Sequence, residues 1–183
     1  MTIRISFAAT ALLLLCGAAR AQNGYFEFGQ IPGLDAEPTV QIDLPPSMLG
    51  WVSEAAKKED PEAAKAIENL KAVRLRVYEN IGDNAKAVGQ FIEDTSRKLE
   101  SDGWQRTVYV HDGDDKVRIY VKPGDPKAAK PEIAGFTVMV VDDSDAVFIN
   151  VAGPMDPAQF GRLMGGGWGG MLGGIFNGAH EHD

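Results

Sequence analysis

The sequence predicts an α+β domain with a mainly antiparallel sheet of about six strands and helices packed on one face. Helical and strand patterns follow one another in the order β-α-α-β-α-β-β-β-β-α, so helices cluster in the first half of the chain and strands in the second. Four consecutive strands lie between Trp104 and Gly153, and the other elements must pack around them. No glycine-rich phosphate loop follows a strand, which disfavours a nucleotide-binding fold.

The first half supplies two strands and three helices. Alternating apolar and polar residues predict strands at Thr39 to Leu44 and at Val73 to Glu79. A capping carboxylate followed by proline in the first turn is typical of a helix start. The expected helix starts are Pro45-Pro46-Ser47, Asp60-Pro61 and Asp83, and Gly103 is expected to end the third helix.

The second half supplies four strands and a short helix that begins at Asp156-Pro157. The predicted strands are Trp104 to His111, Lys116 to Lys122, Ile133 to Val141 and Ala146 to Ala152. The first two alternate and are therefore expected to have one apolar face. The last two are apolar on both faces, which is normal for strands that are buried on both sides.

The N-terminus has the layout of a secretory signal peptide. Arg4 supplies the positive charge, Phe7 to Leu15 the short apolar stretch, and Ala19-Arg20-Ala21 the small residues of a cleavage site. Leu15 precedes Cys16 where lipoprotein processing needs a small side chain, which favours ordinary cleavage. We therefore expect an exported protein, periplasmic or secreted, with a signal peptide at 1–21, a linker at 22–38, one domain at 39–164 and a glycine-rich tail at 165–183.

Composition excludes several function classes. Cleavage removes Cys16, the only cysteine, so the mature chain has no thiolate and no internal disulfide. It also removes Arg4 and Arg20, which reduces the 18 basic residues to 16 against 26 acidic ones and gives a formal charge of −10. An acidic chain of this kind is not expected to bind nucleic acid.

No catalytic or cofactor motif is present, so we expect a non-enzymatic protein without a cofactor or a metal site. Only His111 lies inside the predicted domain, and no nucleophile-elbow pattern surrounds any serine. The acidic clusters at 112–115 and 142–145 lack the spacing of a calcium loop, and Asp and Gly are residues that tight turns use. A hydrolase-like enzyme is the third interpretation.

One sheet face is a candidate partner surface. If the helices cover the side that carries Val73, Leu75 and Val77, the other side of the sheet is rich in Tyr and Arg, which are enriched at binding hot spots. Its candidate residues are Arg74, Arg76, Tyr78, Tyr109, Arg118, Tyr120, Met139 and Phe148. Part of this face needs a cover, which is the N-terminal linker with Tyr25, Phe26 and Phe28, the tail, or a partner.

The glycine-rich tail is a second candidate surface. Its apolar residues continue from Phe160 at helical spacing and include Trp168, Met171, Leu172, Ile175 and Phe176, with glycines on the other side. Each helical glycine costs about 1 kcal/mol against alanine, so the helix should not persist alone in water. It would form on a membrane surface or a partner; the alternative is a flexible low-complexity tail.

The amino-acid sequences of several segments resemble those of a known protein family. Asp102-Gly103-Trp104, Phe136 to Asp142, Phe148 to Gly153 and Asp156-Pro157 resemble the family called domain of unknown function 4252, found in exported bacterial proteins. The resemblance spans about Val40 to Leu163 and implies no catalytic or ligand residues. We therefore expect an exported interaction domain of the cell envelope that binds an envelope protein or itself. The alternative is a peripheral membrane or self-assembling protein that acts through its tail.

Overall fold

The computed structural model describes residues 24–113 and 115–162, which form six strands and four α-helices. The strands are β1 (Val40–Leu44), β2 (Ala72–Tyr78), β3 (Gln105–Asp112), β4 (Asp115–Pro123), β5 (Ile133–Val141) and β6 (Ala146–Met155). The α-helices are α1 (Pro46–Ala56), α2 (Pro61–Glu68), α3 (Ala85–Ser101) and α4 (Pro157–Arg162), with a 3-10 turn at Gly82–Asn84 before α3. The predicted α+β class is confirmed.

All six strands form one antiparallel sheet in the order β1-β2-β6-β5-β4-β3. The last strand, β6, lies between β2 and β5 and so joins the first half of the chain to the second. The strands β1 and β3 form the two edges of the sheet. The register aligns apolar side chains on the same face, as in the pairs Leu75 with Ile149 and Val138 with Ile149.

Local sequence signals explain several helix ends. Asp60 caps α2, because its Oδ1 accepts hydrogen bonds from the backbone N–H groups of Glu62 and Ala63 at 3.1 and 2.9 Å. Gly103 follows α3 with a φ of +78°, which glycine adopts without strain. The prediction that Asp83 caps α3 is wrong: Asp83 lies in the 3-10 turn, and the N-cap is Asn84, without a side-chain cap hydrogen bond.

The sheet has a core on each face. The first face is covered by α3 and by the segment 24–34, and we call it the α3 face. The other, called here the second face, carries a separate apolar cluster from β2, β4, β5 and β6. The helices α1 and α2 pack mainly against each other, beside the edge strand β1.

Candidate functional site

The predicted partner face is the α3 face, and most of it is buried inside the domain. The register sets Tyr109, Arg118, Met139, Phe148 and Arg76 in one row across five strands. Of the eight candidate residues, Arg118, Tyr120, Met139 and Phe148 are at most 1% exposed, and Tyr78 is 7% exposed. These five residues therefore do not form an open binding face. The helix α3 covers their side of the sheet, and not the side of Val73, Leu75 and Val77 on which the prediction was conditional.

Helix α3 covers this face through apolar packing and through hydrogen bonds to Arg118 and Tyr120 beneath it. Val88, Ile92 and Leu99 are fully buried in the same cluster as Met139 and Phe148. The spacing of the three α3 residues follows one side of a helix.

Two carboxylates of α3 bind the polar side chains of β4. Arg118 Nη2 donates to Glu93 Oε1 at 2.8 Å, and its Nη1 donates to the carbonyl oxygens of Val110 and Val117. The Tyr120 hydroxyl donates to Glu100 Oε1 at 2.9 Å. Burial raises the pKa of the Tyr120 phenol above its ordinary value. The nearby Ser96 hydroxyl lowers this pKa and the bond to Glu100 raises it, both by less than burial does. Arg118 and Tyr120 therefore stabilise the fold.

The segment 24–34 covers the rest of the α3 face. The buried side chain of Asn150 fixes it: Oδ1 accepts a hydrogen bond from Phe26 N at 3.0 Å, and Nδ2 donates to Gly24 O at 3.0 Å. Phe28 packs against Phe148 with ring centroids 5.3 Å apart, and Phe26 contacts Phe28 at the same distance. The stretch predicted as a linker with docking aromatic residues thus contributes buried side chains to the core.

The two arginines of β2 hold the same segment. The Arg74 guanidinium lies 4.5 Å from the centroid of the Tyr25 ring and pairs with Asp43 at 3.3 Å. Arg76 Nη1 donates to Gly29 O at 3.0 Å. Beside Arg76, residues 29–38 and β1 enclose an open cleft of about 750 Å³ that Tyr78 also lines.

Tyr109 is the one predicted face residue with a largely accessible ring, at 53% exposed. Its ring lies over the Arg118 guanidinium at 3.7 Å, so it covers that buried cation. The Tyr109 hydroxyl lies 3.5 Å from His111 Nδ1 on the same exposed edge strand. The hydroxyls of Ser101 and Ser144 donate hydrogen bonds to Lys98 O and Asp142 Oδ1.

The acidic turn at 142–145 has a local structural role. Asp142 Oδ1 accepts hydrogen bonds from the backbone N–H groups of Ser144 and Asp145 as well as from the Ser144 hydroxyl. Within residues 24–113 and 115–162, no group of three or more His, Cys, Asp or Glu side chains is placed to hold a metal ion. Of the helices in this part of the chain, none is long and apolar enough to cross a membrane.

Helix α1 carries the surface that our sequence reasoning did not single out. One side of it packs on α2, where Leu49 and Ser53 are buried and the Ser53 hydroxyl donates to Ala64 O at 2.9 Å. The adjacent side is apolar and exposed: Trp51 is 73% exposed, and Met48 and Val52 are 41% and 42% exposed. We call Met48, Trp51 and Val52 the α1 stripe.

A signal for the α1 stripe was present in the sequence. The apolar residues of α1 span a wide arc, from Trp51 through Met48 and Val52 to Leu49 and Ala56. A short neighbour such as α2 covers only part of so wide an arc. The tail candidates Trp168, Met171, Leu172, Ile175 and Phe176 lie outside the described residues.

The fold and its surfaces define an α+β domain with a helix-covered antiparallel sheet and an exposed apolar helix stripe. Over residues 34–163 the chain matches the family described as Domain of unknown function (DUF4252), and it belongs to that family. Searches of curated proteins and of solved structures each found no match to this chain.

Proposed function

We propose that this protein is an exported, non-enzymatic binding domain of the bacterial cell envelope, and that it binds a protein partner through the α1 stripe. The partner provides an apolar groove that receives one side of α1, a common mode of helix recognition. The signal-peptide layout of the N-terminus supports export, and the exposed apolar side of α1 supports a binding role.

The exposure of Trp51 carries the proposal. A tryptophan is a costly side chain to leave in water, and fully burying a large apolar side chain stabilises a complex by about 1.5–3 kcal/mol. Tryptophan is also among the residues most enriched at binding hot spots. Met48 and Val52 lie one helical turn apart beside it, so the three side chains present one contiguous apolar strip.

Charge favours a protein groove over a lipid surface. Helices that lie on membranes are rich in Lys and Arg on their polar side. The segment Pro46–Ala56 contains no basic residue, and Glu54 is its only charged side chain. The chain as a whole is acidic, with a formal net charge of −8, which opposes binding to anionic lipid.

The test compares two exposed aromatic residues at opposite edges of the sheet. Trp51 follows the edge strand β1, and Tyr109 lies on the edge strand β3. The unmodified protein, Trp51→Ala and Tyr109→Ala are each used as bait for affinity purification from the native envelope. We expect Trp51→Ala to lose a partner that the unmodified protein and Tyr109→Ala both retain.

Two results would count against the α1 stripe. Retention of the partner by Trp51→Ala would show that the stripe is not the contact. Loss with Tyr109→Ala alone would move the contact to the β3 edge. Circular dichroism and urea unfolding of each variant verify that the fold is intact. This check matters most for Tyr109→Ala, which uncovers the Arg118 guanidinium.

A further inference from the structure

The open cleft beside Arg76 is large enough to hold a small molecule. Its volume of about 750 Å³ lies within the range of about 300–1,000 Å³ that is usual for ligand sites. One wall is the chain at 29–38, which turns at Gly33 with a φ of +83° and a 3.2 Å hydrogen bond from Leu34 N to Ile31 O. The α1 stripe does not line the cleft, so this is a surface separate from the proposed partner contact.

Arg76 brings a positive charge without a carboxylate partner to the cleft. The bond from Nη1 to Gly29 O is its only side-chain hydrogen bond within residues 24–113 and 115–162, and these residues supply no carboxylate that pairs with it. The neighbouring Arg74, in contrast, pairs with Asp43 and Glu27. A guanidinium has five N–H donors in a planar fork, which matches the two oxygens of a carboxylate. Arg76 therefore has donors left for an anionic group.

The hydroxyl of Tyr78 is a second free donor in the same cleft. Arg76 and Tyr78 are two residues apart on β2, so both side chains lie on the same side of the sheet. Tyr78 is 7% exposed, and its ring packs on Phe148 with centroids 6.1 Å apart. In the described part of the chain its hydroxyl has no hydrogen-bond partner, yet it is not among the enclosed polar atoms that lack one. The accessible part of this buried residue therefore opens into the cleft that it lines.

The exposed rim of the cleft carries the opposite charge. Asp35 and Glu37 both line the cleft and are both exposed, and neither pairs with a cation of residues 24–113 or 115–162. A simple anion would be repelled by these rim carboxylates, and a simple cation would be repelled by Arg76. A ligand that carries both charges is attracted at both places.

We propose that this cleft binds a small zwitterionic ligand, either an amino acid or a short peptide. The ligand's carboxylate accepts hydrogen bonds from the Arg76 guanidinium and the Tyr78 hydroxyl. Its ammonium group lies at the rim, near Asp35 and Glu37. An apolar side chain of the ligand contacts Leu34 and Pro38, which give the cleft an apolar part.

Backbone-amide NMR titration of the purified protein tests this assignment with matched probes. Alanyl-leucine carries both charges, alanyl-leucinamide lacks the carboxylate, and N-acetyl-alanyl-leucine lacks the ammonium group. We expect alanyl-leucine to shift the amides of residues 29–38 and 76–78 and to bind at least about tenfold more tightly than the amide. The N-acetyl form should bind about two- to fivefold more weakly than alanyl-leucine, because the rim carboxylates are exposed. Free leucine is the further arm, and its affinity relative to alanyl-leucine distinguishes an amino-acid site from a peptide site.

Four variants assign the two charges to residues. Arg76→Gln should weaken alanyl-leucine binding at least about tenfold, and Tyr78→Phe, which keeps the ring on Phe148, should weaken it about three- to tenfold. Asp35→Asn with Glu37→Gln should weaken alanyl-leucine but not its N-acetyl form. Arg97→Gln is the matched control, since Arg97 is an exposed arginine of α3 that does not line the cleft. Urea unfolding verifies each fold, and Tyr78→Phe still tests the site if Arg76→Gln loosens the segment 24–34.

Any of four results would overturn the proposal. Residues 29–38 and 76–78 could show no shift with leucine or alanyl-leucine up to millimolar concentration. The amide could bind as tightly as alanyl-leucine, which would exclude carboxylate recognition. The N-acetyl form could bind as tightly, which would reduce the cleft to an anion site. Arg97→Gln could weaken binding as much as Arg76→Gln, which would make the attraction a general charge effect.

Discussion

Replacing Asn150 by alanine tests how the segment 24–34 is held on the α3 face. The asparagine is fully buried, accepts a hydrogen bond from Phe26 N, and donates to Gly24 O and to Phe136 O at 3.2 Å. Each such bond contributes about 1 kcal/mol, and each buried backbone group left without a partner costs about 1–3 kcal/mol. We expect Asn150→Ala to lower the free energy of unfolding by about 3 kcal/mol.

The segment should remain bound in this variant but open more often. Releasing it would expose Phe26, Phe28 and Ile31, each worth about 1.5–3 kcal/mol of burial, so full release costs more than the lost hydrogen bonds. Because each 1.4 kcal/mol is a factor of ten, amides of residues 24–34 should exchange about 100-fold faster.

Urea unfolding and hydrogen exchange by mass spectrometry measure the two effects. Asn69→Ala is the matched control, since Asn69 is exposed and makes one side-chain bond, to Lys65 O at 3.3 Å. It should cost less than about 0.5 kcal/mol. A loss below about 1 kcal/mol for Asn150→Ala, with unchanged exchange in 24–34, would refute the anchoring role.

Further predictions concern β4 and β6. Tyr120→Phe removes the bond to Glu100 and should cost about 1 kcal/mol in urea unfolding at pH 7; no loss would show that the bond contributes nothing. The folded pKa of Tyr120 is raised, so the native state favours the neutral phenol. The stability that this preference contributes is complete below the unfolded pKa of about 10 and is lost as pH rises through the folded pKa. The stability difference between the wild type and Tyr120→Phe should therefore shrink in that alkaline range, and a constant difference would contradict the assignment. Gly153→Ala should cost about 3 kcal/mol, because Gly153 has a φ of +136° and an added Cβ would lie 2.7 Å from Leu70 Cα. Gly50→Ala is the control for Gly153→Ala. Gly50 lies in α1 with open space around it, so its replacement by alanine should stabilise the protein by about 0.5–1 kcal/mol. Equal melting temperatures for the two glycine variants would refute this steric reasoning.

The fold class was predictable because alternation and capping are local signals. The first two strands after Trp104 alternate with the period that a sheet requires, and Asp60 and Gly103 mark helix ends by their own local chemistry. Asp83 does not cap α3 because a short 3-10 turn precedes the helix and places Asn84 at the N-cap. Such a shift of one residue depends on how the loop packs.

The choice of face was not predictable from alternation alone. A period of two separates Arg118 and Tyr120 from Val117 and Ile119, but it does not say which set meets the helices. The polar set is buried here because α3 supplies Glu93 and Glu100, seven residues apart on one side of the helix. That spacing was readable in the sequence, but its match to β4 depends on the three-dimensional pairing.

The candidate binding surface in the structure differs from the predicted one for the same reason. With α3 and segment 24–34 over the Tyr- and Arg-rich face, Tyr109 retains a largely exposed ring, and its position over Arg118 gives it a structural role. The α1 stripe has no comparable intramolecular contact among the aromatic and cation-π pairs of the described residues. Trp51 therefore becomes the residue on which the functional proposal depends.

Site-specific photocrosslinking from position 48 in intact native cells tests that proposal most directly, because it leaves Trp51 in place. We predict one discrete heterologous adduct from a photoreactive residue that replaces Met48. Val52→Asp should abolish this adduct because Val52 shares the α1 stripe, whereas Lys58→Asp, beyond the end of α1, should leave it unchanged. The absence of an adduct, an adduct with the mass of two copies of this chain, or an adduct insensitive to Val52→Asp would contradict the proposed function.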